Sequence, residues 1–154
     1  MKTLQEEIGK KRPFELAEEE AYLNILRTAA VLSAPMERLF KAQGLSESTY
    51  NVLRILRGAG EEGAACGLIR ERLVAQVPDV TRLVDRLEGL GLVKRDRTER
   101  DRRVVLNRIT GKGLELLGRL DEPLRRQHLA RCRHMMRGEL QELSRLLTKM
   151  RNAE

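Results

Sequence analysis

Hydrophobic residues recur with the period of an α-helix over most of this chain. Residues 15–42 carry apolar side chains close to a 3.6-residue period, with extra apolar positions that predict more than one buried side. Pro35 lies inside this segment, where a proline removes one backbone hydrogen bond and predicts a kink. Gly44 predicts the end of the helix.

Two shorter helices are predicted next. Ser46 is a suitable N-cap for a helix that ends at Gly58 to Gly60, and Leu45 and Tyr50 have the spacing of a hydrophobic staple. Residues 65–74 form a third predicted helix. A short turn then leads to a fourth.

The fourth helix, predicted from Pro78 to Gly89, divides most sharply into an apolar and a polar face. Proline suits the first turn of a helix, where its missing N–H has no partner to lose. The apolar stripe recurs at i, i+3, i+4 and i+7 and consists of Val80, Leu83, Val84 and Leu87. The opposite face carries Asp79, Thr81, Arg82, Asp85 and Arg86.

A β-hairpin is predicted after Gly91, because residues 92–97 and 104–109 are two short β-prone runs joined by a charged tip. Thr110 can cap the helix that follows. This helix is expected to turn Leu114, Leu117 and Leu120 inward, and Pro123 to kink or restart it. Residues 137–151 form the last predicted helix.

The order of elements predicts a mainly α fold with a small β-hairpin. Residues 46–110 form a winged helix-turn-helix lobe, and residues 15–42 and 111–151 form a helical dimerisation region within one chain, 1–154. A helix that is apolar behind and polar in front can enter the major groove of DNA. Arginines on the hairpin can contact phosphates or a narrow minor groove.

The net charge is compatible with DNA binding but is not by itself evidence for it. The net charge is +7 and the sequence pI is about 9.9, but the excess is spread along the chain. We find no apolar run long enough to span a membrane and no signal-peptide pattern, and we therefore expect a cytoplasmic protein. No cofactor motif is recognisable.

Several runs resemble the MarR family of transcriptional regulators, named for multiple antibiotic resistance. They are the segment 78–88, Gly91-Leu92-Val93, the Asp101-Arg102-Arg103 motif ending in Ile109-Thr110, and the segment 50–56. The resemblance extends over about residues 18–151, and its spacing matches as well as its residue types.

The resemblance implies a homodimer built from the N- and C-terminal helices, which binds a pseudo-palindromic double-stranded DNA operator. It implies that residues 78–90 are the recognition helix and that Arg103 is the wing arginine, oriented by Asp101. Asp85 is a further orienting residue that pairs with a wing arginine. Repression, relieved by a small phenolic or anionic effector, is the commoner mode in the family.

The DNA-contacting residues are expected on the turn, the recognition helix and the wing. They are Gln76, Pro78, Asp79, Thr81, Arg82, Arg86, Arg100, Arg102 and Arg103. Simpler readings stay open, because arginines on a helix face are usually just solvated. Arg103 can instead be a structural partner of Asp85 or Asp101.

Other classes of site and function have weaker signals. Cys66 is placed near a helix N-terminus, where a thiolate is favoured, but a small buried side chain is the simpler reading. His128, Cys132 and His134 have a spacing that could bind a metal, and we predict no metal site there. An enzyme lacks support because no acid and base pair stands in a recognisable motif. A protein-binding adaptor would not need the arginine-tipped hairpin.

Overall fold

A computed structural model describes residues 2–97 and 105–152 of the chain. The helices are α1 (Leu4–Glu7), α2 (Ala17–Ala42), α3 (Glu47–Ala59), α4 (Cys66–Arg72), α5 (Val80–Gly89), α6 (Gly111–Cys132) and α7 (Arg137–Arg151). A 3₁₀ turn, Gly60–Glu62, follows α3, and strands β1 (Val93–Arg97) and β2 (Val105–Ile109) lie between α5 and α6. The mainly α fold with a small hairpin is confirmed.

The long helices continue through their prolines. α2 has Pro35 in its interior and α6 has Pro123, and neither helix ends there. Pro35 is buried. An interior proline costs about 3 kcal/mol of helix stability, so tertiary packing of α2 has to offset that cost.

The predicted helix starts at Ser46 and Thr110 are confirmed. The Ser46 hydroxyl accepts the N–H of Thr49 at 3.2 Å, and the Thr110 hydroxyl accepts the N–H of Gly113 at 3.2 Å. Phe40 of α2 stacks on Tyr50 of α3 with ring centroids 4.4 Å apart. The first helix, α1, was not predicted, although Thr3 and Glu6 form its capping box.

One hydrophobic core joins α3, α4 and α5 to the start of α6. Val80, Val84 and Leu87 of α5 are completely buried, as the predicted stripe requires, and Leu83 packs at its edge. They share the core with Leu53 of α3 and others on the neighbouring helices. Helix α5 is therefore fixed by the apolar side of its own sequence.

The two strands pair antiparallel, from Val93 opposite Ile109 to Arg97 opposite Val105. Ala64, which lies shortly before α4, forms an isolated antiparallel bridge on the free side of β2. It exchanges two backbone hydrogen bonds with Asn107, each 2.9 Å long. The Asn107 side chain, fully buried, donates a further bond to the carbonyl of Ala64 at 2.8 Å. The base of the wing is thereby tied to the chain that enters α4.

Two predicted details are wrong. Asp79 is the N-cap of α5, so Pro78 precedes the helix and does not occupy its first turn. Leu114 is 45% exposed, because the inward face of α6 begins with Gly113 and continues with Leu116 and Leu117. A shift of one position turns a helical side chain by about 100°, which is enough to move it from core to surface.

Gly113 marks the closest approach between α6 and the wing. A Cβ at this position would lie 2.5 Å from the carbonyl oxygen of Leu92 and 2.6 Å from a side-chain carbon of Ile109, whereas a Cβ at Gly118 in the same helix meets nothing within 4 Å. We expect Gly113→Ala to lower the free energy of unfolding by about 1–3 kcal/mol, since the added methyl forces backbone apart.

The matched variant Gly118→Ala should raise the free energy of unfolding by about 0.5–1 kcal/mol, because alanine favours the helix over glycine. Urea unfolding measures the free energy of unfolding of both variants. Equal effects of the two substitutions would show that α6 does not pack on the wing as described.

Candidate DNA-binding site

The recognition helix presents its polar face from its first turn. Asp79 uses its Oδ1 atom to accept the backbone N–H of Arg82 at 3.1 Å, and this bond caps the helix. Thr81 and Arg82 lie exposed on the next positions. The Asp79 carboxylate therefore has a structural partner already, while the side chains of Thr81 and Arg82 face solvent.

The turn ahead of α5 is also exposed. Gln76 and Pro78 face solvent, whereas Val77 packs against the core. The backbone N–H of Val74 donates to Oδ1 of Asn51 on α3 at 3.1 Å. Asn51 was not singled out from the sequence, since one asparagine on a helix gives no signal of its partner.

Arg86 has a different environment from Arg82. Its Nη2 donates to the carbonyl of Gly44 at 3.2 Å, which links α5 to the turn between α2 and α3. Arg86, which was predicted to contact DNA, thus also has a local structural role.

Asp85 pairs with an arginine of the wing, but with one that sequence reasoning missed. Arg95 of β1 donates to Asp85 through Nη2, and its Nη1 lies 3.4 Å from an oxygen of Glu88. The partner follows from the packing of β1 against α5, which could not be derived from charge alone. Arg100, Asp101, Arg102 and Arg103 lie outside the described residues.

A second arginine anchors the other strand. Arg108 of β2 donates to the carboxylate of Asp96 on β1 and, through Nε, to the carbonyl of Glu61 at 2.5 Å. The hydrogen bond from Arg108 lowers the pKa of Asp96, and the nearby charge of Lys94 lowers it further. These bonds attach the wing to the 3₁₀ turn that follows α3.

One ion pair bridges the winged lobe and the helical region. Arg57 of α3 donates two hydrogen bonds to Asp121 of α6, at 2.8 and 3.1 Å. This bidentate contact raises the pKa of Arg57. Such a pair adds geometric specificity to the contact between α3 and α6.

A cavity of about 230 Å³ lies between these two regions. Its apolar wall includes Met36, Phe40, Leu73 and Leu124. Its polar lining includes Glu47, Tyr50, Asn51, Arg54 and His128. Arg54 donates to the hydroxyl of Tyr50 at 3.2 Å, so a cation and a hydroxyl meet beside apolar surface.

The remaining sequence candidates do not assemble. Within residues 2–97 and 105–152, which contain His128, Cys132 and His134, no three His, Cys, Asp or Glu side chains come together as a metal site. Cys66 is a half-buried free thiol, 3.7 Å from Nδ2 of Asn107. In the described part of the chain, no helix is long and apolar enough to cross a membrane.

Helix α5 is buried on one face and exposed on the other, a short turn precedes it and an antiparallel hairpin follows it. This arrangement defines a winged helix-turn-helix protein. The model of the MarR family matches residues 45–105. The transcriptional repressor IacR of Pseudomonas putida is 31% identical over 112 residues, which is 73% of this chain and 66% of that repressor.

Two solved structures extend the comparison. A MarR transcription factor from Planctomyces limnophilus is 43% identical, with a TM-score of 0.67, over 89% of this chain and 98% of that one. The organohalide-sensing regulator RdhR, in its 2,4-dichlorophenol-bound form, is 22% identical, with a TM-score of 0.80, over 99% of this chain and 89% of that one. The chain belongs to the MarR family and is a DNA-binding transcriptional regulator, not an enzyme.

The ion pair at the wing base generates a pH prediction. Because the pKa of Asp96 is below its ordinary value of 3.8 in the folded state, its contribution to stability is present above that value and is lost as the pH falls through the lowered pKa. Asp96→Asn should therefore destabilise the protein at about pH 7, and this effect should shrink as the pH falls below 3.8 through the lowered pKa of Asp96.

Urea unfolding of the wild type and the variant, at about pH 7 and at a series of values below 3.8, checks this. In an Arg108→Gln background, Asp96→Asn should have a smaller effect, because only the ion pair between Lys94 and Asp96 is left to lose. A pH-independent difference in the Arg108-containing protein would contradict the assigned pair.

Proposed function

We propose that this regulator is a sequence-specific repressor that binds double-stranded DNA as a homodimer and is released by a small-molecule effector. The observation that carries the proposal is the solvent-exposed face of α5, with Thr81 and Arg82 directly over a completely buried stripe. Repression is the activity named for the Pseudomonas putida relative. The proposed place of action is the cytoplasm, where a regulator meets the chromosome.

The recognition residues divide into two groups. Gln76, Pro78, Asp79, Thr81 and Arg82 form the major-groove edge, in which Thr81 and Arg82 read base edges and Asp79 orders the first turn. Arg100, Arg102 and Arg103, with Asp101, supply wing contacts to phosphates or the minor groove. Asp85 orients the wing through Arg95, and Arg86 adds charge near the backbone.

A homodimer follows from apolar surface that one chain leaves uncovered. No residue of α7 is buried, although Leu143, Leu146 and Met150 lie on it and are each more than 40% exposed. On α2, Tyr22 and Leu26 are about half exposed. Large exposed apolar patches mark interaction sites.

A two-fold dimer requires a two-fold operator. The two recognition helices would meet successive major grooves about 34 Å apart, so each half of a pseudo-palindromic site is read by one protomer. A pseudo-palindromic operator is therefore part of the proposal.

The effector is proposed to be a small phenol or aromatic anion bound in the cavity between the lobes. The cavity combines an aromatic and aliphatic wall with Arg54 and the hydroxyl of Tyr50, which suits a ring that carries an acidic group. The RdhR structure, similar in fold, holds 2,4-dichlorophenol.

The DNA-reading role of Arg82 is tested on an operator recovered by selection and sequencing of bound genomic fragments. Arg82→Ala should cost about 1–3 kcal/mol on that operator and relax base preference at one position, with little change on scrambled DNA. Arg119→Ala, which removes an exposed arginine from α6, serves as the charge-matched control. An equal loss on operator and scrambled duplex would reduce Arg82 to a phosphate contact.

A comparison between a charged and a neutral ligand tests the effector cavity. Arg54→Gln should weaken binding of benzoate at least about tenfold, because a hydrogen bond to a charged group contributes about 1.5–3 kcal/mol, and should affect neutral phenol less. Titration calorimetry measures both ligands, with Arg119→Gln as the control. Equal binding of benzoate by all three proteins would place the anion elsewhere.

A further inference from the structure

Asn51 of α3 touches two features that the proposed function treats separately. Its side-chain oxygen accepts the N–H of Val74, the second residue after α4, at 3.1 Å. The same residue lines the cavity between the lobes, together with Leu73, Val74 and Ala75 of the turn. One amide therefore lies both on the cavity wall and against the chain that leads into the recognition helix.

The turn depends on this bond because its own side chains contribute little packing at this point. The Val74 side chain is 88% exposed, and Ala75, Gln76 and Pro78 also face solvent. Leu73 and Val77 pack against the core on either side. Between these two anchors, the bond from Val74 to Asn51 joins the backbone of the turn to α3.

We propose that Asn51 is a positioning residue for DNA recognition, which fixes the turn between α4 and α5 and so the start of the recognition helix. The proposal rests on the DNA-binding function proposed above. It adds that operator affinity depends on an acceptor atom at position 51, far from the base-reading side chains. Because Asn51 and Val74 both line the cavity, the contact lies where a ligand bound there would meet it.

The test compares an acceptor-free variant with one that keeps the acceptor. Asn51→Leu is nearly isosteric and removes the acceptor, whereas Asn51→Asp retains a side-chain oxygen that can take the Val74 N–H. Ser48→Ala is the control, since Ser48 lines the same cavity and, among the described residues, donates and accepts no hydrogen bond with the turn. Each full-length protein is measured for operator affinity, affinity for scrambled DNA, amide exchange at Val74 and urea unfolding.

We expect Asn51→Leu to speed amide exchange at Val74 and to weaken operator binding roughly fivefold per folded dimer, the effect of one lost hydrogen bond. Affinity for scrambled DNA should change little, so the ratio of the two affinities falls. Ser48→Ala should keep both wild-type values. Asn51→Asp should keep the ratio of the two affinities, because its added negative charge weakens binding to both kinds of DNA alike.

Two outcomes would overturn the proposal. In the first, Asn51→Leu exposes the Val74 amide but keeps the wild-type operator affinity, which would make the bond irrelevant to recognition. In the second, Asn51→Asp lowers the ratio of operator affinity to scrambled-DNA affinity as far as Asn51→Leu does, which would show that the acceptor does not matter. If the wild type itself prefers no operator, the proposed function fails, which is a distinct result.

Discussion

The structure depends on helix α5, which must be buried on one face and exposed to solvent on the other. Val80, Val84 and Leu87 are removed completely from water, and each contributes about 1.5–3 kcal/mol of burial free energy. That anchoring holds α5 in place and leaves the side chains of Thr81 and Arg82, on its opposite face, exposed to solvent. The helices α3 and α4 act mainly as the support that makes this division possible.

The wing is held by polar contacts where the recognition helix is held by apolar ones. Arg95 reaches back to α5, Arg108 reaches to the 3₁₀ turn, and Asn107 bonds to the strand-like residue Ala64. Burial of Asn107 has a cost, because its Oδ1 atom has no hydrogen-bond partner among the described residues. Directed bonds thus fix the wing relative to α5 and to the chain around α4.

Periodicity and caps predicted most of the fold because both are local. Ser46, Thr110 and the stripe of α5 depend only on neighbours in the sequence. The partner of Asp85 was missed because it depends on how β1 packs against α5, and Asn51 was missed because its partner lies 23 residues away. The exposure of Leu114 was misjudged because the close packing of a glycine selected which face of α6 turns inward.

The central claim is that two copies of this lobe read one DNA site. Sedimentation of the protein with a selected operator duplex, at micromolar concentration, measures how many chains of 17.6 kDa bind each duplex. The account predicts two chains per duplex, and a free protein of about twice the chain mass. A single chain bound tightly to the full operator, with a monomeric free protein, would contradict it.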